Sequence, residues 1–186
     1  NLAHTVATNI TIQFTSAGLT PATSDPIVVS ATTASRLAFT TQPGNAAAGS
    51  VFGTLPVVQT LDEFGNNSTA GLPANLPVSL NLSTGTGPLQ GSNTVDIGTA
   101  ASNGTGLFTG LRIDVAGTNK QLTASAAGLT GAVSATFTVT SGPADSLAIQ
   151  TQPPTTVTAG AAFSPAPVVR VFDAFGNLVT TGNPVV

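Results

Sequence analysis

The sequence has no Cys, Met, Trp or Tyr, and His4 is the only imidazole among its 186 residues. Without cysteine there is no thiol catalysis, no disulfide and no zinc site of the cysteine type. There is also no Gly-Lys-Ser/Thr phosphate-binding loop, and a catalytic triad would have to be built around His4. We therefore predict that the chain is not an enzyme, with no catalytic residues, no cofactor and no metal site, and that His4 is a surface residue.

Charge is also scarce: 4 Lys and Arg stand against 7 Asp and Glu, which gives a net charge of −3 and a charged fraction of 6%. An ordinary soluble domain has about 25% charged residues, and a nucleic-acid binder carries a basic patch. Apolar residues make up 41% of the chain, but Gly, Pro, Thr or Ser interrupts every apolar run well before the ~20 residues of a membrane-spanning helix. We expect no nucleic-acid partner and no membrane span in this segment.

What the sequence does contain is an internal repeat. Three separate matches share one register, with an offset of 110 or 111 residues. Such self-similarity is typical of tandem arrays. It predicts the end of one repeat at residues 1–34, a complete repeat at 35–144 and the start of another at 145–186. The matching pairs are 37–43 (LAFTTQP) with 147–153 (LAIQTQP), 62–66 (DEFGN) with 173–177 (DAFGN), and 17–20 with 127–130 (AGLT in both).

The complete repeat has the pattern of short strands. Runs rich in Val, Ile, Leu, Thr and Phe alternate with clusters of Gly, Pro and Asn, and no stretch keeps a helical period over three turns. Seven short strands in about 110 residues predict an all-β fold, a β-sandwich with Greek-key connections. The predicted strands are 36–41, 55–61, 76–82, 93–97, 106–115, 119–127 and 133–140.

The recurring Asp-x-Phe-Gly-Asn motif has two interpretations. Asp and Asn oxygens can bind calcium, but only Asp62 and Glu63 are carboxylates close together in sequence, and calcium usually needs more. A tight turn between strands is favoured, since Gly supplies positive φ, Asn tolerates it, Asp bonds the turn backbone and Phe packs inward. The predicted structural-turn residues are Asp62, Phe64, Gly65 and Asn66, with Asp173, Phe175, Gly176 and Asn177.

These motifs together resemble the tandem bacterial Ig-like domains of large surface proteins, such as the stalks of invasin and intimin. The resemblance rests on Asp-x-Phe-Gly-Asn after an apolar strand, Leu-Ala-x-x-Thr-Gln-Pro at the repeat start, and Ala-Gly-Leu-Thr followed by Phe-Thr-Val at its end. It covers all three repeat portions. It implies Ig-like sandwiches in tandem, a location outside the cell or at the cell surface, and no catalytic residues to transfer. The charged fraction is lower than in such stalks.

The offset of 110 pairs Ile10 with Lys120, the only lysine, and His4 with Asp114. Lys120 shares strand parity with Leu122 and Ala124, so its stem is expected to face the core. Its amine is then either a strand-end group that reaches water or the donor of an intramolecular cross-link to Asn, as in some bacterial surface domains.

Two functions follow. The first is a structural repeat segment of an extracellular stalk, fibre or sheath, and the alternative is an adhesin module that recognises a host protein or glycan through sandwich loops such as residues 83–88. The expected partners are neighbouring repeats of the same polypeptide, other copies in a fibre, and a possible host or matrix ligand. Because the chain starts at Asn1 without a signal-peptide pattern, we expect either an excerpt of a longer array or copies whose ends complement one another.

Overall fold

The computed structural model describes residues 2–180, and in this range the chain is all-β and contains no helix. There is accordingly no helix among these residues with the length and apolar character that crossing a membrane demands. The all-β prediction is confirmed at this level. The N-terminal segment, residues 2–34, has four two-residue strands: β1 (Asn9–Ile10), β2 (Gln13–Phe14), β3 (Ala22–Thr23) and β4 (Ile27–Val28).

The central segment, residues 35–144, forms two sheets. Their strands are β5 (Arg36–Thr41), β6 (Ala46–Ala47), β7 (Val57–Leu61), β8 (Pro77–Thr84), β9 (Thr94–Asp96), β10 (Thr105–Leu107), β11 (Gly117–Ser125), β12 (Ala132–Val133) and β13 (Phe137–Thr140). The smaller sheet has the order β10-β7-β5, and the larger has the order β6-β13-β11-β8-β9, with β12 also paired to β11. All pairs are antiparallel except the parallel pair of β6 with β13.

The two central sheets share one hydrophobic core. Leu37 and Val58 from the smaller sheet belong to the same buried cluster as Leu80, Leu122 and Val139 from the larger one. Alternation along the strands explains this, because successive side chains of a strand point to opposite faces, and in β11 every second residue from Lys120 to Ala124 is buried. Two sheets that face one core are consistent with a β-sandwich.

One predicted strand is wrong. Residues 106–115 were expected to form a single strand, but β10 ends at Leu107, and Gly110 follows with a φ of 71°. The chain then changes partners: Phe108 donates its N–H to Pro56, whereas Arg112 exchanges backbone hydrogen bonds with Gln90. The positive φ at Gly110 breaks the ladder, although the residues directly beyond it still alternate: Leu111 and Ile113 are buried, and Arg112 and Asp114 are half-buried.

The predicted strand 133–140 is interrupted as well. Ser134 lies between β12 and β13, and its hydroxyl accepts the N–H of Leu122 at 2.9 Å and donates to the carbonyl of Ala135. A serine that bonds nearby backbone competes with the sheet ladder in this way. The same arrangement occurs in the N-terminal segment, where Ser24 accepts the N–H of Ile12.

Pairings in the two outer segments match those of the central segment. In the N-terminal segment β1 pairs with β4, and Ile10 lies opposite Ile27 just as Lys120 lies opposite Phe137. In the C-terminal segment, residues 145–180, the strands β14 (Ala144–Thr151) and β15 (Val168–Asp173) form one antiparallel pair. Their register matches that of β5 and β7, including the irregularity after Ile149 and after Phe39.

Candidate functional site: the Asp-x-Phe-Gly-Asn turns

Both copies of the motif form a turn directly after a strand. The first turn, residues 62–66, follows β7, and the second turn, residues 173–177, follows β15. In each, the first and last residues pair: Asp62 donates its N–H to the carbonyl of Asn66 at 2.9 Å, and Asp173 does the same to Asn177 at 3.0 Å. Gly65 and Gly176 have φ values of 92° and 81°, a region that L-residues rarely adopt.

The Asp side chain organises each turn from inside. Asp62 is fully buried, and its Oδ1 accepts the N–H groups of Phe64 and Asn66 at 3.0 and 2.8 Å. Its Oδ2 accepts the N–H of Thr32 at 3.0 Å and the Nδ2 of Asn66 at 2.9 Å. Each carboxylate oxygen therefore receives two N–H donors.

Asp173 repeats this pattern at the second turn. Its Oδ1 accepts the N–H groups of Phe175 and Asn177 at 2.9 and 2.8 Å. Its Oδ2 accepts the N–H of Gly142 at 2.7 Å and the Nδ2 of Asn177 at 2.8 Å. Thr32 and Gly142 lie in the stretches that connect one segment to the next, so each Asp joins its turn to the connection before it.

These hydrogen bonds decide the protonation of both carboxyl groups. Burial by itself raises the pKa of Asp62, but the Asn66 side chain and the N–H groups of Asn66, Thr32 and Phe64 outweigh it and lower the pKa from 3.8 to about 2. The pKa of Asp173 is lowered by the same balance, with Gly142 in the place of Thr32. Hydrogen bonds to a carboxylate favour its charged form, so both groups are anionic at neutral pH.

The Asn side chain of each turn reaches the preceding segment. Asn66 accepts the N–H of Ala7 through Oδ1 and donates through Nδ2 to the carbonyl of Thr5, both at 2.8 Å. Asn177 makes the same two contacts with Ala116 and Asp114, again at 2.8 Å each. The amide thus pairs with the backbone in the manner of one strand with another.

The offset between these backbone partners is 109 residues, from Ala7 to Ala116, whereas the strand pairings nearby differ by 110. The extra residue falls at the start of β11, where the pairing register shifts between Gly117 and Lys120 and Asn119 has a φ of 55°. At this contact the counterpart of Asp114 is therefore Thr5, and the pairing of His4 with Asp114 expected from the sequence is wrong.

The two Phe rings do not pack into a sandwich core as the sequence reasoning expected. Phe64 and Phe175 are 52% and 48% exposed. The ring of Phe175 instead lies against the backbone of Gly49 in the central segment, where an added Cβ would overlap the ring. Gly49 belongs to the turn after β6, so a second contact joins the C-terminal and central segments beside that of Asn177.

The carboxylate oxygens at both turns are engaged by N–H donors. Every hydrogen bond of the two carboxylates comes from an N–H donor of the chain, and residues 2–180 contain no cluster of three or more His, Asp or Glu side chains. His4 is exposed. The arrangement is a hydrogen-bonded joint between consecutive segments.

The other residues singled out from the sequence take part in the fold. Lys120 is 1% exposed on the core side of β11, and its Nζ donates to the main-chain carbonyl of Thr86 at 2.6 Å. Within residues 2–180 it makes no hydrogen bond to a side-chain carboxamide or carboxylate. Its stem packs on Gly85, and Gly87 packs on Val115. Residues 83–88 therefore cover Lys120 and Val115.

Sequence reasoning found both turns but not what they bind. The partners of the two Asn side chains contribute only backbone groups, which any residue could supply, so no motif marks them. These partners are Thr5, Ala7, Asp114 and Ala116.

In comparisons with known proteins, no family model and no curated protein matches this chain.

Proposed function

We propose that the chain is a structural segment of an extracellular bacterial stalk, fibre or sheath protein, built from tandem Ig-like Greek-key sandwiches. Residues 35–144 are the complete unit, and the two outer segments belong to neighbouring units. The observation that carries this proposal is the joint: the first and second turns bind the preceding segment through the same Asp and Asn contacts.

A joint of this kind suits an array because it repeats. When each unit binds the one before it through the same contacts, every pair of neighbouring units has the same relative position and orientation. Head-to-tail contacts of this kind generate an open filament unless the units close into a ring. Hydrogen bonds also fix orientation more sharply than apolar contacts do, because they are directional. The short connections at Thr32 and Gly142 leave little slack for other arrangements.

The composition agrees with a structural role, and the location outside the cell rests on the resemblance to bacterial surface domains. Ser and Thr are frequent in the chain, and outward-facing Thr hydroxyls keep strands hydrated without charge. The adhesin alternative is the weaker one, because the Gly-rich residues 83–88 that could have formed a binding loop instead pack on Lys120 and Val115. Antibody labelling of intact source cells tests the location, and labelling only after lysis would contradict it.

Small-angle scattering tests the array. We expect a maximum dimension close to that of segments arranged end to end, and a compact particle with segments side by side would contradict the proposal. The double variant Asn66→Ala/Asn177→Ala should scatter as a more flexible particle, because both joints lose their contacts to the preceding segment. Asn67→Ala, which changes the exposed neighbour of Asn66, is the matched control and should scatter like the unaltered chain.

A further inference from the structure

The connection into the central segment is held at Thr32 by both of its backbone groups. Its N–H donates to Oδ2 of Asp62 at 3.0 Å, and its carbonyl accepts the hydroxyl of Ser68. Thr32 is exposed and therefore open to water, whereas Asp62 and Ser68 are buried in the central segment. Two buried side chains of one unit thus converge on one exposed residue of the connection.

Backbone hydrogen bonds continue this hold toward β5. Ala34 donates its N–H to the carbonyl of Ala70 at 3.0 Å, and Ser35 donates to that of Leu61 at 2.8 Å. From Thr32 onward the connection is bonded to the central segment. While these bonds hold, any hinge between the two segments lies before Thr32.

The second turn has no hydroxyl at the place of Ser68. The N–H of Ser68 donates to Thr60 in β7 at 3.2 Å, and the N–H of Val179 donates to Val171 in β15 at 2.9 Å, so Val179 is its counterpart. Both side chains are buried, with 3% and 5% exposed. Because Val fills this place in the second turn, packing alone does not require a hydroxyl there. The hydroxyl of Ser68 is explained by the carbonyl that it binds.

We propose that Ser68 is a positioning residue of the first joint: with Asp62 it forms a latch on Thr32 that opens while the central segment stays folded. The closed latch holds the connection as an extension of β5 and fixes the direction in which the preceding segment leaves. Thr32 and Thr33 are both exposed, which is the character of a segment that opens locally. The proposal rests on the proposed function, because a fixed direction at this point matters only between consecutive units.

Amide hydrogen exchange of the full chain, followed by NMR, tests the latch. The N–H of Thr32 exchanges when the latch opens, whereas that of Leu80, bonded to Asn93 within the core at 2.8 Å, exchanges on global unfolding. Ser68→Ala removes one hydrogen bond from the closed latch, so the exchange of Thr32 should accelerate about tenfold. Ser68→Thr keeps a hydroxyl and should leave this exchange slow.

Ser134→Ala is the matched control. Ser134 is also 3% exposed, and its hydroxyl, like that of Ser68, accepts one N–H and donates to one carbonyl. Its hydroxyl bonds only residues of the central segment. Both Ala variants weaken that segment and should accelerate the exchange of Leu80, but only Ser68→Ala should accelerate that of Thr32. This difference separates a latch from a serine that stabilises only its own unit.

Ser68→Val, which introduces the residue of the second turn, gives the same test if Ser68→Ala is too unstable to measure, and Thr32 should again exchange faster. An exchange rate of Thr32 that the loss of the hydroxyl leaves unaltered overturns the proposal. Equal acceleration of Thr32 by Ser68→Ala and Ser134→Ala also overturns it, because the connection would then be released only when the whole central segment unfolds. Either result leaves the array proposal standing, since that proposal is tested by scattering. A compact particle in scattering would in turn contradict the array without changing the exchange measured at Thr32.

Discussion

Gly65 has a φ of 92°, and the reason for glycine there is conformational rather than steric. An added Cβ would meet only the guanidinium end of Arg36, at 3.1 Å, and this flexible side chain can move. A β-branched residue is strained at such a φ. We expect Gly65→Val to lower the free energy of unfolding by about 1–3 kcal/mol, as measured by urea denaturation.

Gly65→Asn is the control for this prediction, since Asn adopts positive φ at lower cost. It should lose clearly less stability than Gly65→Val. Equal losses in the two variants would mean that side-chain volume, and not the backbone conformation, explains the glycine.

The pKa of Asp62 predicts a specific response to acid. The folded-state pKa of Asp62, about 2, is below the ordinary value of 3.8. The ionised carboxylate therefore adds to the free energy of unfolding. That contribution is fully present above pH 3.8 and is lost as the pH falls through the folded-state pKa. Asp173 shifts in the same direction. Unfolding followed from pH 7 to pH 2 should show stability falling mainly below pH 4.

Asp62→Asn should reduce this dependence on pH, because the titrating group is gone. Glu63→Gln removes the same charge from the exposed neighbouring residue and serves as the control for net charge. A pH profile of Asp62→Asn identical to that of the unaltered chain would show that the hydrogen bonds at Asp62 do not set the acid response.

At the scale of elements, pattern and turn chemistry predicted most of the central strands, and they failed where one residue redirects the chain. The alternation of apolar Leu111, Ile113 and Val115 with polar residues predicts a continuous strand. Gly110 ends the hydrogen-bonded ladder, and the alternation continues although the ladder does not. Alternation reports burial, and burial does not require a continuous ladder: beyond Gly110 only isolated bridges remain, such as that between Arg112 and Gln90.

The same limit applies to the two turns. Gly65 and Asn66 are recognisable in the sequence because a tight turn needs their conformations. The side chains of Asn66 and Phe175 contact residues of other segments. Such contacts depend on the relative orientation of the segments. Local pattern does not determine that geometry, which is why Phe175 was expected in a core and lies against Gly49 instead.

The buried amine in β11 yields an element-scale prediction. Desolvation lowers the pKa of Lys120, so the charged form is less favourable in the folded chain than in water. Lys120→Met keeps the stem and removes the charge, and it should leave the free energy of unfolding unchanged or raise it at neutral pH. Lys120→Ala also removes the packing on Gly85 and should cost about 2 kcal/mol.

Urea unfolding of both variants checks this. A loss in Lys120→Met as large as that in Lys120→Ala would mean that the hydrogen bond from Nζ to Thr86 outweighs the desolvation of the amine. The comparison separates the role of the charge from that of the methylene stem, which no single substitution can do.

At the scale of the whole molecule, hydrogen bonds from neutral N–H groups take the place of ion pairs at the buried carboxylates. The only salt bridge among residues 2–180 joins Arg112 Nε to Asp114 Oδ1 at 3.2 Å, and the Arg112 side chain is 43% exposed. The Asp114 side chain is 16% exposed, so the pair is partly buried, but with Arg112 open to water we expect it to contribute about 1 kcal/mol or less. The buried carboxylates at the two turns bond to N–H groups of amides rather than to cations, so mobile ions have no ion pair to screen there.

We therefore expect the urea midpoint of unfolding to change little between low and high sodium chloride at neutral pH, because screening acts mainly on separated full charges. Arg112→Ala should lower stability by less than about 1 kcal/mol at low salt, and the difference from the unaltered chain should shrink as salt is added. A midpoint that falls steeply with salt would contradict this account, since it would require ion pairs to carry stability that we assign to the core and to the turn hydrogen bonds. Potassium chloride in place of sodium chloride separates screening from effects of the particular cation.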